Sequence, residues 1–143
     1  MDIAILAPAA VLVLWSLIML LWMAGTRFPA MAKSGADLAN AKPGGRGSDL
    51  EGVIPDKVNW KSHNYTHLME QPTLFYATVV ILAMTGAGHG MNLYLAWAYA
   101  IIRIIHSIWQ ATVNLVKVRF LLFILSTICL LIMAVNALWA TLF

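Results

Sequence analysis

Charge is scarce in this sequence. Of 143 residues only nine are Lys or Arg and six are Asp or Glu, while 62% are hydrophobic, so a soluble domain made from it would lack the polar surface to cover itself. The bilayer must act as solvent. Cysteine is nearly absent, and the lone Cys129, deep in an apolar run, excludes an intramolecular disulfide and reads as packing. The strand-and-turn alternation of a membrane barrel is missing, which leaves helices to satisfy the backbone in lipid. Also missing is a basic surface interleaved with aromatics, so the net charge of +3 does not indicate nucleic acid. A basic n-region is lacking as well: Asp2 stands there, and the apolar run that follows is too long for a signal peptide, so it reads as a retained helix.

What is present is apolar length. Four runs approach the roughly 20 residues needed to cross the hydrocarbon: Ile3 to Gly25, Pro72 to Gly88, Leu93 to Val113 and Phe120 to Leu142. They predict an all-α membrane protein, a bundle of four transmembrane helices with antiparallel neighbours, in one unit covering residues 1–143. With flanks included, the expected spans are 3–25, 57–88, 92–114 and 119–142, with a long connection over 26–56. The sequence shows no internal repeat. Arg27, Lys33, Lys42, Arg46, Lys57 and Lys61 fall in or beside the first connection, Lys117 and Arg119 in or beside the third, and none in the second. The positive-inside bias therefore places connections one and three in the cytoplasm and both termini on the other side. Lys42 to Ser48 is rich in glycine and predicts a mobile stretch. Asp56 is a candidate cap for a helix that begins in the cytoplasm and runs into the second span, and Pro72 should kink that helix about one turn earlier. The glycines from Gly86 to Gly90 predict a tight turn that makes spans two and three antiparallel neighbours.

Polar residues inside the apolar runs carry the functional signal. Arg103, His106, Gln110, Asn114 and Lys117 recur at intervals of three and four and should share one helical face. Arg103 lies about 16 Å along its span, where an unpaired guanidinium costs at least about 2.5–3.5 kcal/mol. Glu70 is the one carboxylate near the membrane on a neighbouring helix. Folding the second and third spans about the glycine turn sets it level with Gln110, about 9 Å from the level of Arg103, within reach of two snorkelling side chains. An Arg103–Glu70 ion pair is the expectation, closing the inner end of a polar cavity. His63, His67 and Glu70 form a second stripe at i, i+4 and i+7, which Asn59 extends by one turn. Two such stripes opening toward the basic side describe a pocket for a polar, anionic small molecule.

Plainer readings stand beside these. Interhelical hydrogen bonds in membranes contribute about 0.6 kcal/mol each, and Arg103 and Glu70 are read equally well as glue between helices, whereas His106 and Arg119 are read as functional. His63, His67 and Glu70 have a spacing that suits zinc, but spacing supplies no further ligand, and the expectation is no metal. Asn64-Tyr65-Thr66 matches a glycosylation sequon by chance, since it faces the cytoplasm in this topology. His89 is read as solvated, and the Met and Trp residues as lipid-facing filler and interfacial anchors.

Three segments carry a family resemblance: His67-Leu68-Met69-Glu70-Gln71-Pro72 running into Leu74-Phe75-Tyr76-Ala77, then Arg103-Ile104-Ile105-His106-Ser107, then Asn114 to Arg119. The chain resembles the MAPEG family, the membrane-associated proteins in eicosanoid and glutathione metabolism that include microsomal glutathione transferase, prostaglandin E synthase and the leukotriene-forming synthases. It looks like the bacterial, uncharacterised branch. The likeness covers all four spans and is strongest from Asn59 to Phe120. It implies a homotrimer of four-helix subunits with glutathione bound between neighbours at the cytoplasmic side. It also implies that Glu70 and Arg103 pair, that His106 lines the glutathione site, that Arg119 activates the thiol, and that Arg27 is contributed by the adjacent subunit. The sequence departs from the family pattern at four places. His67 stands where Asn is usual, Thr66 where a basic residue is common, and Phe123 and Gln110 where tyrosines are frequent.

The resemblance implies an integral membrane glutathione-dependent transferase or peroxidase-like enzyme, conjugating the glutathione thiolate to lipophilic electrophiles that arrive from the bilayer. Arg119 is the expected catalytic residue, because a free thiol near pKa 8.5 is lowered by a permanent cation. Arg27, His63, His67, Glu70, Arg103, His106 and Gln110 are the expected binding residues for glutathione as co-substrate, with Lys61 beside them. The competing class is a glutathione- or lipid-binding membrane protein of the same fold without turnover. A small transporter is a third reading, supported by Arg103 alone and opposed by the lack of repeat symmetry.

Overall fold

The computed structural model describes residues 1–143. It is all-α, without a strand, and its helices form a membrane bundle of four columns. After a single 3-10 turn at Ile3–Ile5 come α1 (Leu6–Ser34), α2 (Asp56–Leu68), α3 (Gln71–Met84), α4 (Met91–Thr112) and α5 (Val116–Leu142). Three stretches are long and apolar enough to cross a membrane: Ile3–Ser34, Met91–Thr112 and Val116–Leu142.

The remaining column is α2 and α3 end to end, and here the expectation of one kinked helix is corrected to a break. Pro72 has no N–H to give to the carbonyl of Leu68, but it is tolerated in the first turn of a new helix. Accordingly α2 stops at Leu68, Glu70 takes φ −88° and ψ −100°, and α3 starts at Gln71. Thr73 secures the restart by donating from Oγ1 to the Glu70 carbonyl at 2.7 Å. The break leaves α3 about 21 Å long at 1.5 Å per residue, short of a hydrocarbon core of about 30 Å. It also lets the two halves lean differently. The backbone of α2 runs close along α1 and α4, and that of α3 along α1 and α5, while α3 meets α4 through side chains, with Phe75 stacked on Tyr99 at 4.3 Å.

The first helix is longer than its apolar run. It continues through Pro29 to Ser34 and ends on Gly35 in the left-handed region, φ 76°. At about 44 Å it projects past the bilayer core, so the connection begins at residue 35 rather than 26. From Gly47 onward that connection is anchored to the helices. Arg27 Nη2 donates to the Gly47 carbonyl at 2.6 Å, Asn59 Nδ2 to the Leu50 carbonyl at 3.3 Å, and Ile54 is buried.

A contiguous apolar core runs through the bundle, with Leu12 and Met19 of α1, Phe75 and Val79 of α3, Tyr99 of α4 and Met133 of α5 among its members. Outward-facing residues are apolar too, including Leu14, Leu17 and Leu21 on α1 and Leu121, Ile128 and Leu131 on α5. That surface suits acyl chains, not water. At the end carrying the termini, Asp2 closes the bundle. Its backbone N–H donates to the Ala83 carbonyl at 2.9 Å, and its carboxylate accepts from Gly88 N–H at 2.9 Å and pairs with His89 Nδ1 at 2.9 Å. His89 is solvated as expected, 78% exposed, and in addition pairs with Asp2.

Candidate functional site

The polar stripe of α4 is real but shorter than its spacing implies. Arg103, His106, Ser107 and Gln110 are all buried, because the i, i+3, i+4 and i+7 positions of α4 face α1 and α2. Beyond Thr112 the helix ends, so Asn114 and Lys117 leave the stripe. Asn114 sits in the connection with φ 55°, and Lys117 is exposed in the first turn of α5. Asn114 gains a different role. Its Oδ1 accepts from Arg119 Nη1 at 2.7 Å, which steers that guanidinium back toward the bundle.

Arg103 is fully buried, but its expected ion pair with Glu70 does not form. No carboxylate oxygen lies within salt-bridge distance of it. His67 stands between the two. Arg103 Nη1 faces His67 Nε2 at 3.4 Å and Nη2 donates to the His67 carbonyl at 3.4 Å, while His67 Nδ1 meets Glu70 Oε2 at 3.0 Å. The break before Pro72 explains the carbonyl contact. In a continuous helix the His67 carbonyl would accept from residue 71; here it is part of an α-helix C-terminus, where partial negative charge accumulates and cations are favoured. A guanidinium can only donate, so His67 Nε2 accepts from it and Nδ1–H donates to Glu70, which defines a neutral imidazole with its proton on Nδ1.

Around this relay lies a hollow of about 160 Å³, lined by His67, His106, Val116, Arg119, Phe120 and Phe123. The two imidazole rings lie 5.0 Å apart, and Phe123 packs on His67 at 5.7 Å. A second hollow, of about 420 Å³, is lined by Arg27, Glu51, Ser62, His63, Tyr65 and Thr66 together with Met23, Gly47 and Ser48. There Arg27 Nη1 donates to Ser62 Oγ at 3.1 Å, and His63 pairs with Glu51. The structure thus divides the expected site residues. His67, Glu70, Arg103, His106 and Arg119 come together; Arg27 and His63 form a separate hollow one helical turn along α2; Gln110 lines neither and is buried with Oε1 unbonded. His63 and His67 turn to different partners, Glu51 and Glu70.

Sequence reasoning missed several residues. Asn64, read as a chance sequon, is 1% exposed with both amide atoms unbonded; its position three before His67 was the signal. Trp15 Nε1 donates to Ser107 Oγ at 3.0 Å across α1 and α4. Gln71 links Tyr99 and Thr127. These pairs join distant segments, and no local pattern announces them.

Fold and site together define a helical integral membrane protein with a polar hollow, edged by Arg119, beside the break in the column that is interrupted before Pro72. The MAPEG family model matches residues 5–139, nearly the whole chain, and the protein belongs to that family, whose members serve glutathione and eicosanoid metabolism. Among curated proteins and solved structures nothing matches the chain.

Proposed function

We propose that this protein is a membrane glutathione transferase or peroxidase-like enzyme in which Arg119 activates the thiol of glutathione for attack on a lipophilic electrophile. The observation that carries the reading is the placing of Arg119. Asn114 holds the guanidinium by Nη1 at the edge of the hollow it shares with His67 and His106, in a chain that belongs to the MAPEG family. A fixed cation there favours thiolate over thiol. The sulfur electron pair then forms the new bond to an electrophilic carbon as that carbon's bond to a leaving group, or its activated π bond, breaks and the atom at the other end takes up the displaced electron pair. The electrophile reaches the hollow from the acyl chains past Val116 and Phe120.

Glutathione is held, in this reading, by charges on both sides of α2: Arg27 and His63 toward its carboxylates, Glu70 toward its amino group. Ligand pockets usually span about 300–1,000 Å³. The Arg119 hollow, at about 160 Å³, falls below that range, which favours an oligomer in which a neighbouring subunit supplies the missing wall; the homotrimer itself is proposed from membership of the family. The basic first and third connections lie on the cytoplasmic side, with both termini opposite.

Glutathione titration of the purified protein, followed by thiolate absorbance, tests the reading. Arg119→Ala should abolish both that absorbance and conjugation of a model electrophile, while the oligomer stays folded; full turnover in this variant would refute the assignment. A second reading, binding without turnover, is favoured by Phe123, which places a ring with no hydroxyl in the hollow. Binding without conjugation of any electrophile would select it.

A further inference from the structure

We infer that His67 is the group that accepts the thiol proton. The inference rests on the reading above, that the hollow beside Arg119 takes a glutathione thiol, and adds the partner which that reading leaves unnamed. Forming a thiolate needs somewhere for the proton to go, and Arg119 cannot receive it, because a guanidinium is already protonated. Of the hollow's six lining residues, Val116, Phe120 and Phe123 have no acceptor. Among the lining side chains only the imidazoles of His67 and His106 can take it, the alternative being release to solvent.

The two differ in how they are built in. His106 is 2% exposed. The His67 side chain is 24% exposed, and its Nδ1 is anchored to the Glu70 carboxylate at 3.0 Å. A carboxylate on one ring nitrogen orients the imidazole, fixes the proton on that nitrogen, and makes the other nitrogen the base. That other nitrogen, Nε2, meets Arg103 at 3.4 Å, beyond the 2.7–3.2 Å of a good N–H bond. The contact is weak enough for a ligand to displace, and Arg103 retains its carbonyl partner through Nη2.

The step balances within the hollow. The sulfur–hydrogen bond of glutathione breaks and the proton passes to His67 Nε2. The electron pair stays on sulfur, beside Arg119. The resulting imidazolium keeps its Nδ1–H on Glu70, whose negative charge offsets the opposing Arg103. The charged and titratable groups facing His67 are Arg103 and His106 from α4, Glu70 from the break between α2 and α3, and Arg119 from α5.

The test is a proton inventory. Glutathione is titrated into the purified full-length oligomer in buffers of different ionisation enthalpy, by calorimetry, with thiolate absorbance recorded in parallel. Thiolate formed in the wild type with no proton released to buffer is the expected result. In His67→Gln, glutathione should either release about one proton per thiolate or bind as the thiol, and conjugation at neutral pH should fall by about 10²–10⁴-fold, recovering as pH rises toward the free thiol pKa of about 8.5. His106→Gln removes part of the hollow's wall and should weaken glutathione binding, yet each thiolate that still forms should release no proton to buffer. A proton released per thiolate by the wild type overturns the inference, whether or not the variants fold, as does a wild-type inventory in His67→Gln or a shift of the effect to His106→Gln. Failure of the wild type to bind glutathione at all is a different result, which removes the underlying transferase reading and this step with it.

Discussion

Arg103 meets His67 twice, through the imidazole Nε2 and through the main-chain carbonyl, each at 3.4 Å. Neither contact is an ion pair, so the guanidinium is buried without a carboxylate against it. A buried charge with no counter-charge against it carries a desolvation cost that an apolar side chain of similar length avoids. Arg103→Met should therefore leave the thermal midpoint in detergent unchanged or raised, while Arg103→Ala, which leaves a void, should lose about 2–5 kcal/mol. Denaturation curves of the two variants check this. A severe loss in Arg103→Met would mean that the guanidinium is architectural rather than retained for ligand chemistry.

Asp2 and His89 make stability depend on pH at the opposite end. The hydrogen bond to His89 holds the Asp2 carboxyl below its ordinary 3.8, and the same bond raises His89 above 6.5. The Asp2 contribution is present above pH 3.8 and is lost as pH falls through its lowered value. That of His89 is complete below pH 6.5 and is lost as pH rises through its raised value. Thermal midpoints should peak between these limits, with Asp2→Asn and His89→Gln flattening the profile. An unaltered profile in both variants would show that the pair contributes nothing.

Gly88 and Gly25 should respond oppositely to alanine. A Cβ at Gly88 would lie 2.7 Å from Ile5 Cγ2 and 2.9 Å from Asp2 Cβ, so the N-terminal turn would have to move away. Overpacking of this kind costs about 1–3 kcal/mol. At Gly25, inside α1, nothing lies within 4 Å, and alanine should add about 0.5–1 kcal/mol through helix propensity. Unfolding of the two variants under one set of conditions measures the contrast. A destabilised Gly25→Ala would locate a neighbouring subunit against that face of α1.

The residues legible in the sequence were those whose placement depends on helical period alone. Arg103, His106 and Gln110 were expected on one face and lie there, because an α-helix fixes 100° per residue whatever surrounds it. Arg119 was expected beside the third connection and occurs in the first turn of α5. The Arg103–Glu70 pair failed for a definable reason. Its level was counted along an uninterrupted second span, but the backbone turns at Glu70, α3 leans toward α5, and the imidazole of His67 takes the carboxylate. Asn114 and Lys117 failed because α4 ends at Thr112, and a stripe means nothing past the helix that carries it.

The sequence by itself determined the solvent and the helical class, since apolar run length and backbone satisfaction in lipid are local properties. Only the tertiary structure decided which polar groups touch. Whether His67 faces Arg103, whether Asn114 holds Arg119, or whether Asp2 reaches His89 depends on how two segments distant in the chain are rotated and offset. A helix can present the same face at many offsets, and packing selects one.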